Sequence, residues 1–389
     1  MNFITKFRIE HTGGHLEQLR SIQALRGLAA LAVMFAHLHG VETHQSGDDP
    51  VLSTAWIAGV SGVDLFFVIS GFIMVWVAGD TAPSPGNAAK FLFARVMRIY
   101  PLWWLFAGAM AVYFAVTYGT PWDAENLAAL DVSGTEHLVK SFLLIPHDAF
   151  PILQLGWTLM HEMYFYVVFA LILLLPNRFR MLAFALWALI IIAATFAAIT
   201  GFYANTLLNL ALFPMTLEFL MGAGAAWMIK AGWTQWRWPA LAAALAGLAL
   251  AFISVDFLST TALLPTTRTI AYGPAFALLV YALVAIEQRS GLGRFIPQFA
   301  VRLGDWSYSL YLCHLLVISA VARIFFSIFG QAGHIDNIVF LILSVAITVI
   351  VSALVYTLFE RPVLALSKRL RASWFNAPDS AQTAESTRT

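Results

Sequence analysis

Ten apolar segments, each close to the length that a helix needs to cross a bilayer, constrain this chain more than any other feature. A hydrocarbon core about 30 Å thick is crossed by roughly 20 helical residues, and only helices and closed barrels satisfy their backbone polar groups there. The pattern predicts an all-α, polytopic membrane protein. The segments are Ala24–His39, Trp56–Ala78, Ile99–Tyr118, Gly156–Leu175, Met181–Thr200, Leu207–Ile229, Trp238–Val255, Thr269–Ile286, Trp306–Phe329 and Ile338–Phe359.

The composition agrees with a lipid environment. Hydrophobic residues make up 60% of the chain and charged residues 11%, whereas soluble domains carry about 25% charged residues. A net charge of +1 argues against an extended basic surface for nucleic acid. We therefore expect one membrane domain over residues 21–362, a cytoplasmic N-terminal segment over 1–20, and a cytoplasmic tail over 363–389 that is disordered at its end.

The placement of Lys and Arg predicts the topology. Most of them fall in the connections on the side of the N-terminus, whereas the opposite connections contain only Lys140 and Arg268. Cytoplasmic loops carry the excess of Lys and Arg, so both termini are expected in the cytoplasm. The longest external connection, from Gly119 to Leu155, includes the apolar stretch Leu138–Pro146, which is too short to span and is expected to be re-entrant or interfacial.

Titratable side chains inside the predicted helices locate a candidate site. Arg26 and His37 lie on the first helix, Asp64 on the second, Glu162 on the fourth and His314 on the ninth. Such groups are costly in lipid and usually face the bundle interior or a water-filled cavity. A histidine beside carboxylates suits proton transfer from a hydroxyl, because neutral imidazole is a base near pH 7.

Each of these residues also has a structural interpretation. His37 can be a hydrogen-bonding group between helices, Asp64 and Glu162 can form a buried structural pair, and Arg26 can be an interfacial anchor. Arg95 and Arg98, three residues apart, share one helical face at the expected cytoplasmic surface. Paired arginines bind phosphate through forked donors, although their spacing alone favours interfacial anchoring.

Six local sequences, taken in order, resemble the acyltransferase 3 family, bacterial membrane enzymes that O-acylate carbohydrates outside the cytoplasm. Any one block is a weak signal, whereas the ordered set covers most of the chain. Gln23-Ala24 stands where many members have Asp-Gly, which makes the chain more similar to the exopolysaccharide-modifying branch. The blocks are Ser21–Leu31 with His37, Gly62–Phe72, Arg95–Pro101, Trp157–Tyr166, Gly304–His314 and Phe359–Pro362.

The resemblance implies an essential histidine at His37 with Arg26 as its partner on the first helix. It also implies that Arg95 and Arg98 bind the donor. We expect His37, Glu162 and Asp64 to be catalytic. The residues expected to bind the donor are Arg26, Arg95, Arg98, Ser70 and His314.

The expected reaction moves an acyl group, with acetyl preferred, from cytoplasmic acyl-CoA to a carbohydrate hydroxyl in the bacterial cytoplasmic membrane. His37 acts either as general base, oriented by Glu162 or Asp64, or as an acylated nucleophile. Acyl-CoA is a co-substrate, with no metal and no permanently bound cofactor expected. Expected partners are the carbohydrate acceptor, the lipid bilayer and proteins of polysaccharide biosynthesis, without nucleic acid. The alternative is a transporter or flippase for lipid-linked sugars, which would use the same buried charges.

Overall fold

The computed structural model describes residues 19–45, 50–197, 206–254, 264–330 and 333–375. Within these ranges every regular element is helical, and ten helices are long and apolar enough to cross a membrane. The predicted fold class, an all-α protein with about ten spans, is confirmed. Thr200 and Val255, which end two of the predicted segments, lie outside the described residues.

The α-helices are numbered in chain order. A 3₁₀ segment, Thr54–Ser61, leads into the second of them, and a π-helical turn, Tyr356–Glu360, joins the last two. Their bounds are α1 Arg20–Gln45, α2 Gly62–Ala78, α3 Pro85–Tyr118, α4 Ala124–Ala129, α5 Gly134–Leu143, α6 Gly156–Leu173, α7 Asn177–Phe196, α8 Leu207–Ala211, α9 Thr216–Lys230, α10 Arg237–Ser254, α11 Pro265–Ser290, α12 Gln298–Phe329, α13 His334–Val355 and α14 Arg361–Phe375.

Helix α3 begins fourteen residues before the predicted start at Ile99, so that prediction was wrong. Ser84 caps the helix by accepting a hydrogen bond from the backbone N–H of Asn87 at 3.1 Å, and Pro85 occupies the first turn. Both residues are typical of a helix N-terminus. Charged side chains in the first half of α3 lower its hydropathy without interrupting the helix. As a result, Arg95 and Arg98 lie well inside α3 and not at its start.

Close approach of backbones positions α1 against α12 and α2 against α9. A Cβ atom added to Gly304 would lie 2.1 Å from the carbonyl oxygen of Gln23, and one added to Gly71 would lie 1.8 Å from that of Phe219. Real Cβ atoms do not come this close, so both positions require glycine. Small residues at such crossings let membrane helices pack tightly. These two contacts bring the polar residues of α1, α2 and α12 into one interior.

Polar contacts at the helix termini identify one end of the bundle. The backbone N–H of Arg20, at the start of α1, donates to Glu287 near the end of α11 at 2.9 Å. Arg289, also near the end of α11, donates to Thr234, just after α9, at 2.8 Å. We call this face, marked by Arg20, Glu287, Arg289 and Thr234, the Arg20 end. The opposite face is the Gln45 end.

The connection between α3 and α6 folds back against the bundle. The indole N–H of Trp103, in the middle of α3, donates to the carbonyl oxygen of Ser141 at 3.0 Å. The hydroxyl of Tyr100 donates to the carbonyl oxygen of Leu143 at 2.8 Å. The end of α5 therefore contacts the middle of a spanning helix, as a re-entrant or interfacial segment would.

The predicted tail begins as a helix. α14 continues to Phe375, and Trp374 packs against Phe93 of α3 with 5.3 Å between ring centroids. The final polar residues, 376–389, lie outside the described residues, as does most of the predicted N-terminal segment. The domain boundary expected at residue 362 therefore falls at the start of a helix that packs on the bundle.

Candidate active site

A cavity of about 120 Å³ lies between α1, α2, α3, α6 and α12. We call it the arginine cavity, because Arg26, Arg95 and Arg98 line it, together with Ser70 and Glu162. Four of the five residues expected to bind the donor thus line this one cavity. Arg26 lies six residues from the start of α1, about 9 Å along the helix, so the cavity is in the half of the bundle nearer the Arg20 end.

Glu162 belongs to a hydrogen-bonded group in this cavity. Its carboxylate accepts from the hydroxyl of Ser70 at 3.0 Å and, over a shorter distance, from the hydroxyl of Tyr166 one helical turn further along α6. The oxygens of Ser70 and Tyr166 are 3.3 Å apart. These contacts fix Glu162 toward α2 and the arginines. Among the described residues, Glu162 makes no hydrogen bond to His37.

Arg98 forms an ion pair with Glu360, a residue of the π-helical turn before α14. The other oxygen of Glu360 accepts from the hydroxyl of Ser309 at 2.5 Å, and the guanidinium of Arg98 lies 5.0 Å from the ring centroid of Tyr308. Glu360 is 3% exposed. A carboxylate so buried needs its partners, so Glu360, the second residue of the Phe359–Pro362 block, holds Arg98 in place.

Arg26 and Arg95 are not paired with any carboxylate among the described residues. Arg95 lies over the rings of Phe91 and Tyr166, at 5.4 and 5.6 Å from their centroids, and its buried Nε has no hydrogen-bond partner in the part of the chain that the structure describes. Three guanidinium groups thus face the carboxylates of Glu162 and Glu360. The surplus positive charge makes this cavity suited to an anion.

A second cavity, of about 160 Å³, lies nearer the Gln45 end. We call it the His37 cavity, because His37 lines it together with Gln154, Trp157, Arg268 and other residues. His37 is eleven residues beyond Arg26, which places it about 16 Å further along α1. The connection that precedes α6 forms part of the wall.

The hydrogen bonds around His37 define its tautomer. Its Nδ1 lies 2.9 Å from the carbonyl oxygen of Val33 and 3.3 Å from Nε2 of His314. In His314, Nδ1 faces the carbonyl oxygen of Leu310 at 3.2 Å. A carbonyl accepts only, so each neutral imidazole carries its proton on Nδ1. Nε2 of His37 therefore keeps its lone pair.

Asp64 lies near this cavity but contacts a different partner. Its carboxylate pairs with Arg268 of α11, and the same Nη2 atom of Arg268 donates to the carbonyl oxygen of Val60 at 2.9 Å. Arg268, which the sequence placed in a loop, is thus a buried helical residue. Glu218 of α9 is fully buried close to this pair.

Val63 and Tyr311 line both cavities. The hydroxyl of Tyr311 lies 2.8 Å from the hydroxyl of Thr158, and its ring centroid is 6.0 Å from that of His314. We call Val63 and Tyr311 the partition. An acyl group bound among the arginines would have to pass the partition to reach His37.

The structure gathers the predicted residues into two groups instead of one. The predicted contact of Glu162 or Asp64 with His37 is not formed, because each carboxylate has a closer partner on another helix; His314 takes that position. His314 was predicted to bind the donor, but it is not among the residues that line the arginine cavity. The catalytic and donor-binding roles expected of these residues stay predictions.

The sequence interpretation gave no role to four further residues of these sites. The six blocks contain three of them, Tyr166, Tyr311 and Glu360, and this position in a block was the available signal. The fourth is Arg268, which nothing local in the sequence distinguishes. The described residues contain no group of three His, Cys, Asp or Glu side chains that could hold a metal ion.

Comparison with known proteins identifies the family of this chain. A family model described as an acyltransferase domain matches residues 19–357. The exopolysaccharide production protein ExoZ of Rhizobium meliloti is 30% identical over 325 residues, which cover 81% of this chain and 92% of that protein. The acyltransferase MdmB of Streptomyces mycarofaciens is 28% identical, with 94% of this chain and 96% of that protein covered.

A third relative, protein 2 in the picA locus of Rhizobium radiobacter, is 31% identical over 40% of this chain and 82% of its own length. No solved structure matches the chain. The family match includes both cavities and the partition between them. The chain belongs to the acyltransferase 3 family of membrane acyltransferases.

Proposed function

We propose that this protein transfers an acyl group, with acetyl preferred, from cytoplasmic acyl-CoA to a hydroxyl of an extracytoplasmic or lipid-linked carbohydrate, such as an exopolysaccharide unit. Membership of an acyltransferase family and the likeness to a protein of exopolysaccharide production support this reaction. They favour it over transport of lipid-linked sugars. The setting is the bacterial cytoplasmic membrane, with proteins of polysaccharide biosynthesis as partners.

The observation that carries the proposal is a pair of cavities on either side of one partition. One cavity is lined by guanidinium groups, and the other by a histidine that can act as a base. The arginine cavity offers unpaired guanidinium groups to an anionic donor. Its volume of about 120 Å³ fits one segment of acyl-CoA, so the rest of the donor would extend toward the Arg20 end. The thioester would then lie close to the partition, within reach of His37.

His37 is suited to act as the base through Nε2. The carbonyl oxygen of Val33 fixes the proton on Nδ1, as the orienting group of a catalytic triad does. The acceptor hydroxyl gives its proton to Nε2 while its oxygen attacks the thioester carbonyl; the carbon–sulfur bond breaks and the CoA thiolate takes the proton. His314 would stabilise the transient imidazolium by accepting a hydrogen bond from Nδ1. An acylated His37 is the alternative route.

A transfer assay tests the reaction. Protein in lipid nanodiscs receives acetyl-CoA with a labelled acetyl group and polysaccharide that has been chemically de-O-acylated. We expect label to enter the polysaccharide with the wild type, and not with His37→Ala. Wild-type protein that is folded and cleaves acetyl-CoA but leaves the polysaccharide unlabelled would contradict a carbohydrate acceptor. Protein that leaves acetyl-CoA intact would contradict the donor.

Reporter fusions test the proposed orientation. A reporter joined after Arg371 should be active in the cytoplasm, as should one joined at the N-terminus, because Lys and Arg are concentrated on that side. A reporter inserted at Glu125, in the connection between α3 and α6, should be active outside. The opposite pattern would reverse the faces from which donor and acceptor enter.

A further inference from the structure

The wall of the His37 cavity combines aromatic rings with a few polar groups. Trp157, Phe150 and Phe213 line it beside Gln154 and Arg268. A pyranose ring has the complementary surface, since its C–H faces are apolar and its hydroxyls form a polar edge. Binding sites for small molecules are typically apolar walls with a small number of polar groups that fix orientation.

The aromatic wall is held in place by a further ring. His161 stacks on Phe213 with 4.3 Å between centroids and meets the edge of Trp157 at 5.7 Å. Phe67 also contacts Trp157, at 6.4 Å. These contacts fix the plane of the indole before any ligand enters. A surface fixed in advance loses little conformational freedom on binding.

Arg268 offers a hydrogen-bond donor to this cavity. Both of its hydrogen bonds with the described residues, to Asp64 and to the carbonyl oxygen of Val60, use Nη2. Among the described residues Nη1 has no hydrogen-bond partner, and the side chain, although 8% exposed, lines the cavity. The ion pair with Asp64 restrains the guanidinium, so Nη1 has a defined direction.

The charge around Arg268 limits the kind of ligand. Asp64 pairs with it, and the buried carboxyl of Glu218 lies next to both. The three groups together carry no surplus positive charge, whether or not Glu218 is protonated. The arginine cavity, in contrast, carries surplus positive charge. A neutral ring therefore fits the His37 cavity better than an anionic ring does.

We infer that the His37 cavity is the acceptor site, that it takes one neutral pyranose ring against Trp157, and that Arg268 binds an oxygen of that ring through Nη1. Asp64 and Glu218 act as positioning residues for Arg268. The volume of about 160 Å³ is below the roughly 300–1,000 Å³ of sites for drug-sized ligands, so the cavity holds one ring and the rest of a longer acceptor would lie outside it. This inference rests on the proposed function.

Steady-state kinetics in nanodiscs, which avoid sugar-based detergents, test the inference. With de-O-acylated polysaccharide as acceptor, Arg268→Gln and Trp157→Ala should each raise the acceptor KM about tenfold, the loss of roughly one charged hydrogen bond or one packed ring. The KM for acetyl-CoA should stay within about twofold. Trp238→Ala, at a tryptophan that is 57% exposed and outside both cavities, is the control.

Because Arg268 supports a buried ion pair, a folding defect in its variant is a foreseeable outcome. Gln154→Ala avoids this problem, since the Gln154 side chain is exposed and lines the cavity without contacting the pair. It should raise the acceptor KM severalfold. Methyl β-D-glucopyranoside should inhibit transfer to the polysaccharide more strongly than methyl β-D-glucopyranosiduronate, which carries a carboxylate.

Some outcomes would overturn the inference alone. Wild-type transfer with an unchanged acceptor KM in Trp157→Ala and Gln154→Ala would show that the acceptor binds elsewhere. An increase in the KM of acetyl-CoA instead would assign the cavity to the donor, and stronger inhibition by the glucuronide would refute the preference for a neutral ring. Absence of wild-type transfer to any carbohydrate would instead refute the proposed function.

Discussion

The two cavities are separated by a single partition and differ in the way their arginines are used. In the arginine cavity, Arg26 and Arg95 have no carboxylate partner among the described residues, and only Arg98 is paired. In the His37 cavity, Arg268 is paired with Asp64 and has Glu218 beside it. Arginine thus supplies net positive charge in the arginine cavity and directed hydrogen bonds in the His37 cavity.

This difference matters because a buried charge is costly unless it is paired. An arginine without a partner is a site for an incoming anion, since the ligand then provides the missing charge. An arginine that is already paired with a carboxylate offers less net charge to an anion, and its remaining N–H groups can bind a neutral oxygen. Under the proposed function, the first cavity would recognise the phosphates of the donor and the second the hydroxyls of the acceptor.

The largest expected effect comes from removing the base. His37→Ala should lower acyl transfer by about 10² to 10⁴-fold, because proton transfer to Nε2 is lost, while insertion and expression stay near wild type. Transfer of labelled acetyl measures the loss, with exposed His44→Ala as the control. A folded His37→Ala protein with a comparable rate would contradict the mechanism, and acetyl trapped on His37 without acceptor would replace it by the nucleophilic route.

His314→Ala should have a smaller effect than His37→Ala. It removes the group that accepts from Nδ1 of His37 but leaves Val33 to hold the tautomer. We expect a loss of roughly tenfold in kcat, the order of one hydrogen bond to a charged group, with both KM values little changed. A loss as large as that of His37→Ala would mean that the two histidines act as one unit.

The two arginines of α3 should respond differently. Arg95→Ala should raise the KM of acetyl-CoA by about 10 to 100-fold, since a charged hydrogen bond contributes roughly 1.5–3 kcal/mol. Arg98→Ala should in addition lower the thermal stability, because it leaves the carboxylate of Glu360 buried and unpaired.

Removing one member of a buried ion pair costs about 3–5 kcal/mol, and we expect the lower end, since Arg98 is 21% exposed. Thermal unfolding in nanodiscs measures the difference, and Arg98→Ala combined with Glu360→Gln should recover part of it. Equal donor KM values for wild type and both single variants would refute the donor assignment.

The partition should control where water meets the thioester. Tyr311→Ala would join the two cavities, so we expect release of free acetate, relative to transfer, to rise severalfold. Tyr311→Phe keeps the ring and loses only the hydroxyl that contacts Thr158, so its ratio should stay near that of the wild type. An unchanged ratio in Tyr311→Ala would show that the partition does not separate donor from water.

The smallest expected effect concerns the connection that forms one wall of the His37 cavity. Nδ1 of His137 and Nε2 of His147 lie 2.9 Å apart in this connection. Burial, with a smaller contribution from the neighbouring His147, lowers the pKa of His137 from 6.5 to about 4. The unfolded segment therefore binds a proton at a higher pH than the folded one. The wall should lose stability as the pH falls from about 6.5 to 4, and keep it above 6.5.

Hydrogen exchange over residues 134–155, corrected for the intrinsic effect of pH, should show this loosening, with little change in α3. In His137→Asn the pH dependence should shrink. If the pH dependence of exchange is unchanged in His137→Asn, another group is responsible for it. If exchange in α3 increases equally, the loss of stability is not confined to the wall of the His37 cavity.

Local sequence was sufficient to predict the spans and most of the charged and imidazole side chains that line the two cavities. The apolar segments, Gly156 to Leu175 for example, follow from the length that a bilayer requires, and the structure has a helix of nearly the same bounds. The start of α3 was missed, because hydropathy decreases where Lys90, Arg95 and Arg98 face an interior or a partner instead of lipid. Hydropathy detects helices whose side chains face lipid. It therefore misses the part of a helix whose charged side chains face other protein groups.

Local sequence did not determine which of these side chains meet. His37 and His314 are 277 positions apart, and Arg98 and Glu360 are 262 apart. Their contacts depend on the crossing of α1 with α12 and on the π-helical turn before α14. The sequence by itself determined a ten-helix membrane protein with titratable groups in its interior, because lipid imposes that pattern on each segment separately. Only the tertiary structure decided that those groups divide into two cavities, because that division depends on how the helices pack.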